Sequence, residues 1–376
     1  MKKVIFSLLS AVAITSSVFA ADNNTVWHSA DTLPLLGKGI DPASTVMRYQ
    51  RLPDSMKTKV KRDAVYYLGT NSAGMAIRFA SDAPAIDIKW KSLYKNLMNH
   101  QTPTGTRGLD LYTLLPDSTW TFVNSARPDV NNHFTSANVI SNMDPVMREY
   151  LLYLPLYDGI DSLYIGTGRD YVVTAPKVDV LIPGSAATPK PIVMYGTSLL
   201  QGGCANRPGM AHSNIITRRL NRPVLNFGFS GNGQLDLEIA EILAAIPDPA
   251  MYVLDFVPNV NEQQIEEQMI PFVEIIEKAH PGVPILFPED PRFPHARFDK
   301  KMRHEVDYRN LLMKEKFDIL SQQYPNLVFL PSIDFAGHDH EAFVDGIHYT
   351  DLGFVRYANV LEPILREMIA NSESKK

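Results

Sequence analysis

Cysteine is almost absent from this sequence, because Cys204 is the single cysteine among 376 residues. A chain with one thiol can form no internal disulfide, so its stability must come from hydrophobic cores. Long basic runs and low-complexity segments are also missing, and the formal net charge is -5. These absences argue against a small disulfide-bonded module, and they predict no nucleic-acid partner.

Long apolar runs are also scarce, but one lies at the N-terminus. It follows Lys2 and Lys3 and ends with small residues at Val18 and Ala20. This order is typical of a secretory signal peptide over residues 1–20, cleaved after Ala20. The run is short for a membrane span, and no basic stop-transfer segment follows it. We therefore expect a periplasmic or secreted protein without a stable membrane anchor.

The rest of the composition is that of a globular protein, with 45% hydrophobic and 20% charged residues. The length suits two domains. In the first half, short segments of alternating hydrophobicity are separated by proline, glycine and aspartate. This pattern predicts an all-β sandwich resembling a jelly roll over residues 27–182. The strands are predicted at 75–92, 108–115, 120–123, 148–157, 161–166 and 177–182.

The small, polar and proline-bearing stretch 183–190 is the best candidate for a linker. Beyond it, over residues 191–370, apolar runs alternate with segments of helical periodicity, which predicts an α/β domain with a parallel sheet. The strands are predicted at 191–196, 224–229, 251–256, 284–289 and 327–332, and the helices at 235–246, 262–280 and 308–324, with a final helical segment near the C-terminus.

A glycine-rich turn presents Ser198 directly after the first strand of this second domain. Parallel sheets bind ligands beyond the carboxyl ends of their strands, which is where this serine falls. A nucleophilic serine needs a base, and the base needs an orienting group. Asp345 and His348 stand three residues apart before the last helical segment and could supply both. The alternatives are that the serine and the histidine only cap the helices that follow them.

Two further residues could bind a developing oxyanion. Gly231 follows the second strand and offers a backbone N–H, while Asn259 follows the third strand and offers a side-chain amide. Taken singly, glycine and asparagine are ordinary loop residues. Because all of these positions follow strand ends, we expect them at the same edge of one sheet.

The order Ser198, Gly231, Asn259 and Asp345-x-x-His348 resembles the SGNH hydrolases, also called GDSL-type esterases, from Pro191 to the C-terminal helix. The resemblance implies a flavodoxin-like sheet and a serine nucleophile, Ser198, with His348 as its base and Asp345 orienting the base. It further implies an oxyanion hole made by the Ser198 and Gly231 N–H groups and the Asn259 amide. No cofactor and no metal are implied.

Two departures from the family pattern concern the loops. The usual Gly-Asp-Ser-Leu is here Gly196-Thr197-Ser198-Leu199, and the usual Gly-x-Asn-Asp is Val-Pro-Asn-Val over 257–260. Neither departure removes a catalytic group of the family. The first half is similar to the β-sandwich domain that precedes an SGNH domain in a subfamily named for Gly-x-Asp-Leu-Tyr, here 108–112. Bacterial relatives with both domains are often carbohydrate esterases, so the resemblance favours acetyl removal from polysaccharides.

The resulting hypothesis is a secreted serine esterase acting on short-chain, acetyl-type esters of a small molecule or polysaccharide. One alternative is a lipase or phospholipid acylhydrolase, and another is a non-catalytic glycan-binding protein on the same scaffold. We also expect the β-sandwich to be part of the working enzyme, because the linker is short.

Several other residues allow a functional and a structural interpretation. Cys204 could be a nucleophile but is more typical of a buried thiol. The loop 337–343 offers His338, Asp339 and His340 to a metal but lacks further obvious ligands. The segment 288–298 could line the substrate cleft or form a plain surface loop. Two interpretations are open for Trp27, Trp90 and Trp120, namely a sugar-stacking platform and burial in an aromatic core.

Overall fold

The computed structural model describes residues 24–374. The predicted signal peptide, residues 1–20, lies outside the described residues. Antiparallel sheets occupy the first half of the chain and one parallel sheet occupies the second half, with helices on both sides of the latter. The predicted fold class, an all-β domain followed by an α/β domain of the SGNH type, is confirmed.

The first half contains two antiparallel sheets, in the orders β1-β9-β4-β7 and β10-β3-β8-β5-β6, with β2 paired to β3. The strands are β1 Thr25–Ser29, β2 Leu35–Leu36, β3 Ala76–Ser81, β4 Ile86–Ser92, β5 Leu109–Leu114, β6 Trp120–Ala126, β7 Phe134–Ile140, β8 Arg148–Tyr153, β9 Ile160–Gly168 and β10 Val173–Thr174, and the helices are α1 Asp63–Gly69 and α2 Pro103–Arg107.

A single apolar core lies between these two sheets. In β4 the burial alternates along the strand, so that Ile86, Ile88 and Trp90 are buried while the residues between them are half-exposed. The side chains of β4 and β9 share this core with Phe79 of β3 and Leu111 of β5, which belong to the other sheet. This packing is that of a sandwich, in which the inner faces of both sheets supply the core.

The sequence prediction was wrong for residues 177–182, which form no strand. The backbone of this segment is held by side chains of the sandwich instead of a neighbouring strand. Glu149 Oε1 accepts hydrogen bonds from the N–H groups of Lys177 and Val178, and Arg78 donates to the carbonyl groups of Val178 and Val180. A segment whose backbone groups are satisfied in this way has no need of a strand partner.

The second half forms a five-stranded parallel sheet in the order β12-β11-β13-β14-β15. Its elements are β11 Ile192–Gly196, α3 Ser198–Gln201, α4 His212–Leu220, β12 Val224–Gly228, α5 Leu237–Ala244, β13 Met251–Asp255, α6 Glu262–Ala279, β14 Ile285–Pro288, α7 Lys300–Gln323, β15 Leu327–Leu330 and α8 Asp351–Glu373. The first three of these strands are buried at every position, as expected for strands covered on both faces.

The side chain of Arg51 joins the two halves. It comes from the N-terminal half and is 2% exposed. Its guanidinium donates to the carbonyl oxygens of Leu68 and Asn71, and also to those of Asn226 and Gly228 on β12 at 2.9 and 2.8 Å. A buried cation is tolerated because every donated hydrogen bond finds an oxygen acceptor. The two halves therefore form one packed unit around this residue.

Further polar contacts cross the same boundary between the two halves. The residue pairs are Arg62–Asp236, Asp110–Arg207, Trp120–Asn221 and Tyr153–Asn214. Among the residues from 24 to 374, no helix has the length and apolar character needed to cross a membrane.

Candidate active site

Ser198 begins the short helix α3 immediately after β11. Thr197 caps this helix, because its Oγ1 accepts a hydrogen bond from the Leu199 N–H at 3.3 Å. Threonine thus provides the local acceptor where the family pattern has aspartate. The helix ends at Gly202, whose φ of 105° lies in the left-handed region. The serine is 7% exposed and sits at the carboxyl edge of the sheet.

The loop before α8 carries the other two members of the predicted triad. His348 Nε2 lies 2.9 Å from Ser198 Oγ, and His348 Nδ1 lies 2.8 Å from Asp345 Oδ2. The second carboxylate oxygen, Oδ1, accepts from the backbone N–H groups of Ile347 and His348. The three side chains therefore form one continuous hydrogen-bonded chain, although they come from two distant segments of the sequence.

The electrostatic surroundings keep Asp345 ionised. Partial burial alone would raise its pKa, but the N–H of His348, the His348 ring and the N–H of Ile347 lower the pKa to about 2. A carboxylate that accepts several N–H groups is stabilised in its charged form. At neutral pH it can therefore hold the Nδ1–H of His348, which leaves the lone pair of Nε2 directed at Ser198.

The residues predicted for the oxyanion hole lie at the same edge. Gly231 has a φ of 67° with open space around the position of a β-carbon. Asn259 ends a short 3-10 turn after β13, and its Oδ1 accepts from the Gly233 N–H at 3.3 Å. Within residues 24–374, no acceptor is assigned to the Asn259 amide or to the N–H of Ser198 or Gly231. Among the described residues, three donors at this edge of the sheet are thus without an assigned acceptor.

The segment 288–298 packs against the catalytic loop. His295 Nδ1 lies 2.9 Å from the carbonyl oxygen of Gly346, which stands between Asp345 and His348. Gly346 has a φ of 87°, and a β-carbon there would lie 2.9 Å from His295 Nδ1. Glycine is therefore required both by the backbone conformation and by the close approach of the histidine.

The other residues that the sequence offered for metal binding or sugar stacking make contacts within the fold. Arg356 binds Asp339 with two hydrogen bonds, and His338 pairs with Asp334 in an exposed loop. Trp90 is fully buried in the sandwich, and Trp120 donates its indole N–H to Asn221. Lys89 lies over the ring of Trp27, 4.4 Å from its centroid.

Cys204 is buried, and burial followed by the charge of Asp345 raises the pKa of its thiol to about 12. A neutral thiol is a poor nucleophile. Beside it lies His100, whose ring centroid is 5.4 Å from that of His348. His100 comes from the loop between β4 and α2, and sequence reasoning missed it. The sequence shows only that His100 stands in a polar loop of the first half. That position does not reveal its contact with His348, which depends on the fold.

Two buried carboxyl groups lie beneath the site. Burial, opposed by a hydrogen bond from Tyr357 and assisted by Asp290, raises the pKa of Asp255 to about 7. Burial also raises the pKa of Asp290 to about 7, although Arg309 opposes the shift. An aspartate in an unfolded chain has a pKa of about 4. The protonated groups therefore contribute stability that is fully present below about pH 4 and is lost as the pH rises through about 7.

We predict that replacing Asp255 with asparagine flattens the pH dependence of the free energy of unfolding. Because asparagine does not titrate, the decline between roughly pH 4 and pH 7 should become shallower. Urea unfolding at a series of pH values measures this slope. Asp170→Asn, at an exposed position, is the control and should leave the slope unchanged. Parallel curves for the protein and Asp255→Asn would contradict the assignment.

A parallel α/β sheet with a hydrogen-bonded serine, histidine and aspartate at its carboxyl edge is the arrangement of serine hydrolases. Two family descriptions match the chain. Residues 189–366 match the GDSL-like Lipase/Acylhydrolase family, and residues 25–173 match GxDLY, the N-terminus of SGNH-hydrolase-type esterases. No curated protein sequence shows significant similarity to the chain.

Solved structures extend the likeness over both halves. The chain is 33% identical to a structure described as a GDSL-like lipase from Bacteroides ovatus ATCC 8483, with a TM-score of 0.84 over 92% of this chain and 98% of the other. The salicylyl-acyltransferase SsfX3 from a tetracycline biosynthetic pathway is 14% identical, with a TM-score of 0.73 over 93% of this chain and 98% of that one. A family two carbohydrate esterase from Clostridium thermocellum is 11% identical, with a TM-score of 0.53 over 79% of this chain and 93% of that one. The last two show the fold alone.

The chain therefore belongs to the GDSL-like lipase/acylhydrolase family and carries the N-terminal domain of SGNH-type esterases. It is a hydrolase of the esterase type, and its relatives do not fix the ester on which it acts.

Proposed function

We propose that the protein is an exported serine esterase that removes short acyl groups, acetyl above all, from carbohydrate. The observation that carries the proposal is the continuous hydrogen-bonded chain from Ser198 through His348 to Asp345. It stands where parallel sheets present their ligand sites.

The proposed reaction is acyl transfer to water. Ser198 Oγ attacks the ester carbonyl carbon while Nε2 of His348 takes the hydroxyl proton. Asp345 holds Nδ1–H and stabilises the imidazolium that forms. The imidazolium then returns its proton to the oxygen of the leaving alcohol, which leaves an acyl group on Ser198. A water molecule repeats the sequence on the acyl-enzyme and releases the acid, so no cofactor is required.

The oxyanion that develops in each step is assigned to the N–H groups of Ser198 and Gly231 and to the Asn259 amide. The Oδ1 contact with the Gly233 N–H fixes which way the amide of Asn259 faces. A donor fixed before the reaction stabilises the transition state without having to reorganise.

We predict that Asn259→Ala lowers kcat by about 10²–10³, the usual cost of losing one oxyanion donor. KM should change much less, because this hydrogen bond strengthens only as charge develops on the oxygen. Steady-state kinetics with p-nitrophenyl acetate measures both constants. Asn138→Ala, on strand β7 of the sandwich, is the matched control. An unchanged kcat in Asn259→Ala would give Asn259 a structural role only.

The carbohydrate assignment is supported by the presence of the GxDLY domain and by the fold-level likeness to a carbohydrate esterase solved with cellohexaose. A longer-chain lipid ester is the second candidate. It is favoured by exposed apolar side chains close in sequence to site residues, Leu97 at 57% exposed and Val344 at 45% exposed.

A p-nitrophenyl ester series from acetate to palmitate, followed by acetate release from acetylated xylan and mannan, tests the proposal. We expect preference for acetate and release from at least one polysaccharide, with Ser198→Ala as the blank. Preference for long chains would establish the lipid ester instead. No turnover of any ester would favour a non-catalytic glycan-binding protein.

We propose further that residues 1–20 direct export and are removed after Ala20. The same proposal assigns a sandwich domain to residues 27–182, a linker to 183–190 and a catalytic domain to 191–370. The intact mass of protein recovered from the periplasm and from the medium of an expressing bacterium tests the cleavage point and the destination.

A further inference from the structure

Four side chains with metal-binding atoms meet beside the predicted nucleophile. One ring nitrogen each of His100 and His348, the sulfur of Cys204 and a carboxylate oxygen of Asp345 all lie within 4.8 Å of one another. The four residues come from three segments: the loop before α2, the turn after α3 and the loop before α8. Only His348 and Asp345 have a part in the proposed reaction, which leaves His100 and Cys204 without an assigned role.

The loop that carries His100 is fixed in place from both sides. Within the sandwich, the buried carboxylate of Asp158 accepts hydrogen bonds from the N–H groups of Tyr94 and Asn96, both at 3.0 Å. On the other side, Thr102 donates its hydroxyl to the Asn206 carbonyl oxygen at 2.6 Å. His100 is therefore held against the catalytic domain by contacts that precede and follow it in the sequence.

The turn that carries Cys204 is equally constrained. The N–H of Gly203 donates to the Ser198 carbonyl oxygen at 2.7 Å, and a β-carbon at Gly203 would lie 3.1 Å from Cδ2 of His348. A larger residue at 203 would push the histidine ring away. The glycine thus lets the backbone of this turn approach the imidazole closely and sets the cysteine sulfur beside it.

We propose that His100, Cys204, Asp345 and His348 form a binding site for a divalent ion of the zinc type, and that the bound ion inhibits the esterase. Tetrahedral zinc with bonds of about 2.0–2.3 Å has ligand atoms about 3.5 Å apart. The four ligand atoms here lie within 4.8 Å of one another, so zinc binding needs a contraction of about 1 Å at the widest pair.

The donor set selects among metal ions by its chemistry. Two imidazoles, one thiolate and one carboxylate suit Zn²⁺, Co²⁺ or Cu²⁺, whereas Mg²⁺ and Ca²⁺ prefer sites made entirely of oxygen. Binding converts the Cys204 thiol to a thiolate and releases its proton to solvent. No electron is transferred, so the exchange needs no oxidant or reductant.

Metal binding and the proposed ester hydrolysis both use His348, so the bound ion inhibits the esterase. This part of the inference rests on the proposed function. A metal on Nε2 takes the lone pair that would accept the Ser198 proton. A metal on Nδ1 displaces the hydrogen bond to Asp345 and removes its orienting effect. Either mode leaves Ser198 without a working base.

Titration calorimetry of the full mature chain with ZnCl₂ is the first test, with CoCl₂ absorption spectra beside it. We expect one zinc ion per chain with micromolar affinity, and a thiolate-to-cobalt charge-transfer band in the near ultraviolet. MgCl₂ should give no heat. Ser198→Ala should bind zinc as the unchanged protein does, because the serine is not a ligand. This readout stands whether or not the protein hydrolyses esters.

His100→Ala and Cys204→Ala are the decisive variants, and His338→Ala is the matched control. Each decisive variant should weaken zinc binding at least tenfold, and Cys204→Ala should abolish the cobalt band. Both variants should keep esterase activity. Zinc should no longer inhibit that activity at the concentration that inhibits the unchanged enzyme. His338→Ala should behave as the unchanged protein does.

Absence of zinc binding at millimolar concentration, or binding that both variants leave unchanged, would overturn the site. Zinc bound through these residues without loss of activity would overturn the inhibition. Zinc bound in a protein that hydrolyses no ester would leave the site standing and refute the proposed function.

Discussion

Replacing Ser198 with alanine is expected to abolish ester hydrolysis while the protein stays folded. The hydroxyl oxygen lies 2.9 Å from Nε2 of His348, the nitrogen that takes its proton in the proposed reaction. Alanine keeps the backbone of the turn and removes one oxygen atom. Loss of a triad nucleophile lowers kcat by about 10⁶, leaving the residual rate that binding and the oxyanion donors provide. Initial rates with p-nitrophenyl acetate and a circular dichroism melt measure the two halves of this expectation.

Cys204→Ala is the matched variant for the same experiment. Its thiol lies close to His348 but is held neutral by burial, so its removal should leave the rate within a few fold of normal. Near-normal activity in Ser198→Ala together with loss in Cys204→Ala would reverse the assignment of the nucleophile.

Arg51→Met is expected to have the largest effect on stability. Methionine fills much of the same space but donates no hydrogen bond, so the carbonyl oxygens of Asn71, Asn226 and Gly228 lose the hydrogen bond from Arg51. The Leu68 carbonyl oxygen keeps the Asn71 N–H as a donor. Each buried acceptor left unsatisfied costs about 1–3 kcal/mol. A total loss of about 4 kcal/mol or more is a large part of the about 5–15 kcal/mol that stabilises a typical protein. Urea unfolding at neutral pH measures the difference.

Arg366→Met is the control for this comparison. Its guanidinium pairs with Glu362 at 2.8 Å, but the side chain is 54% exposed, so we expect a loss below about 1 kcal/mol. Equal effects of the two substitutions would show that burial of Arg51 does not matter. If Arg51→Met does not accumulate as folded protein, Arg51→Lys retains the charge and should recover part of the stability.

Elements with local signals could be predicted from the sequence. The five parallel strands are apolar runs with glycine or proline at or near their carboxyl ends, and the structure has a strand at each of them. Strand β7 was missed, because the polar residues Thr135, Ser136 and Asn138 interrupt its apolar pattern and three of its seven residues are exposed. Helix α4 was missed as well, since His212 and Asn214 are polar yet buried in it. In both elements the burial comes from tertiary packing, which periodicity alone does not report.

The residues of the candidate site also divide into those with a local signal in the sequence and those without one. Ser198, Asp345 and His348 could be proposed from strand ends and from a spacing of three residues, and their catalytic roles stay predictions. His100 and Arg51 could not be proposed, because each acts on the second half of the chain from a loop of the first. Their positions depend on how the sandwich docks, and no local pattern in the sequence encodes that geometry.

The docking of Arg51 also decides what the sheet exposes to other molecules. Strand β12 is an edge of the parallel sheet. An uncovered edge strand offers its backbone groups to strands of neighbouring chains and so invites aggregation. Arg51 donates hydrogen bonds to the carbonyl oxygens of Asn226 and Gly228. The N-terminal half therefore blocks this edge from pairing with another strand. The edge of a newly made chain stays open to intermolecular strand pairing until the N-terminal half has docked, so the docked N-terminal half protects the folded catalytic domain from such pairing.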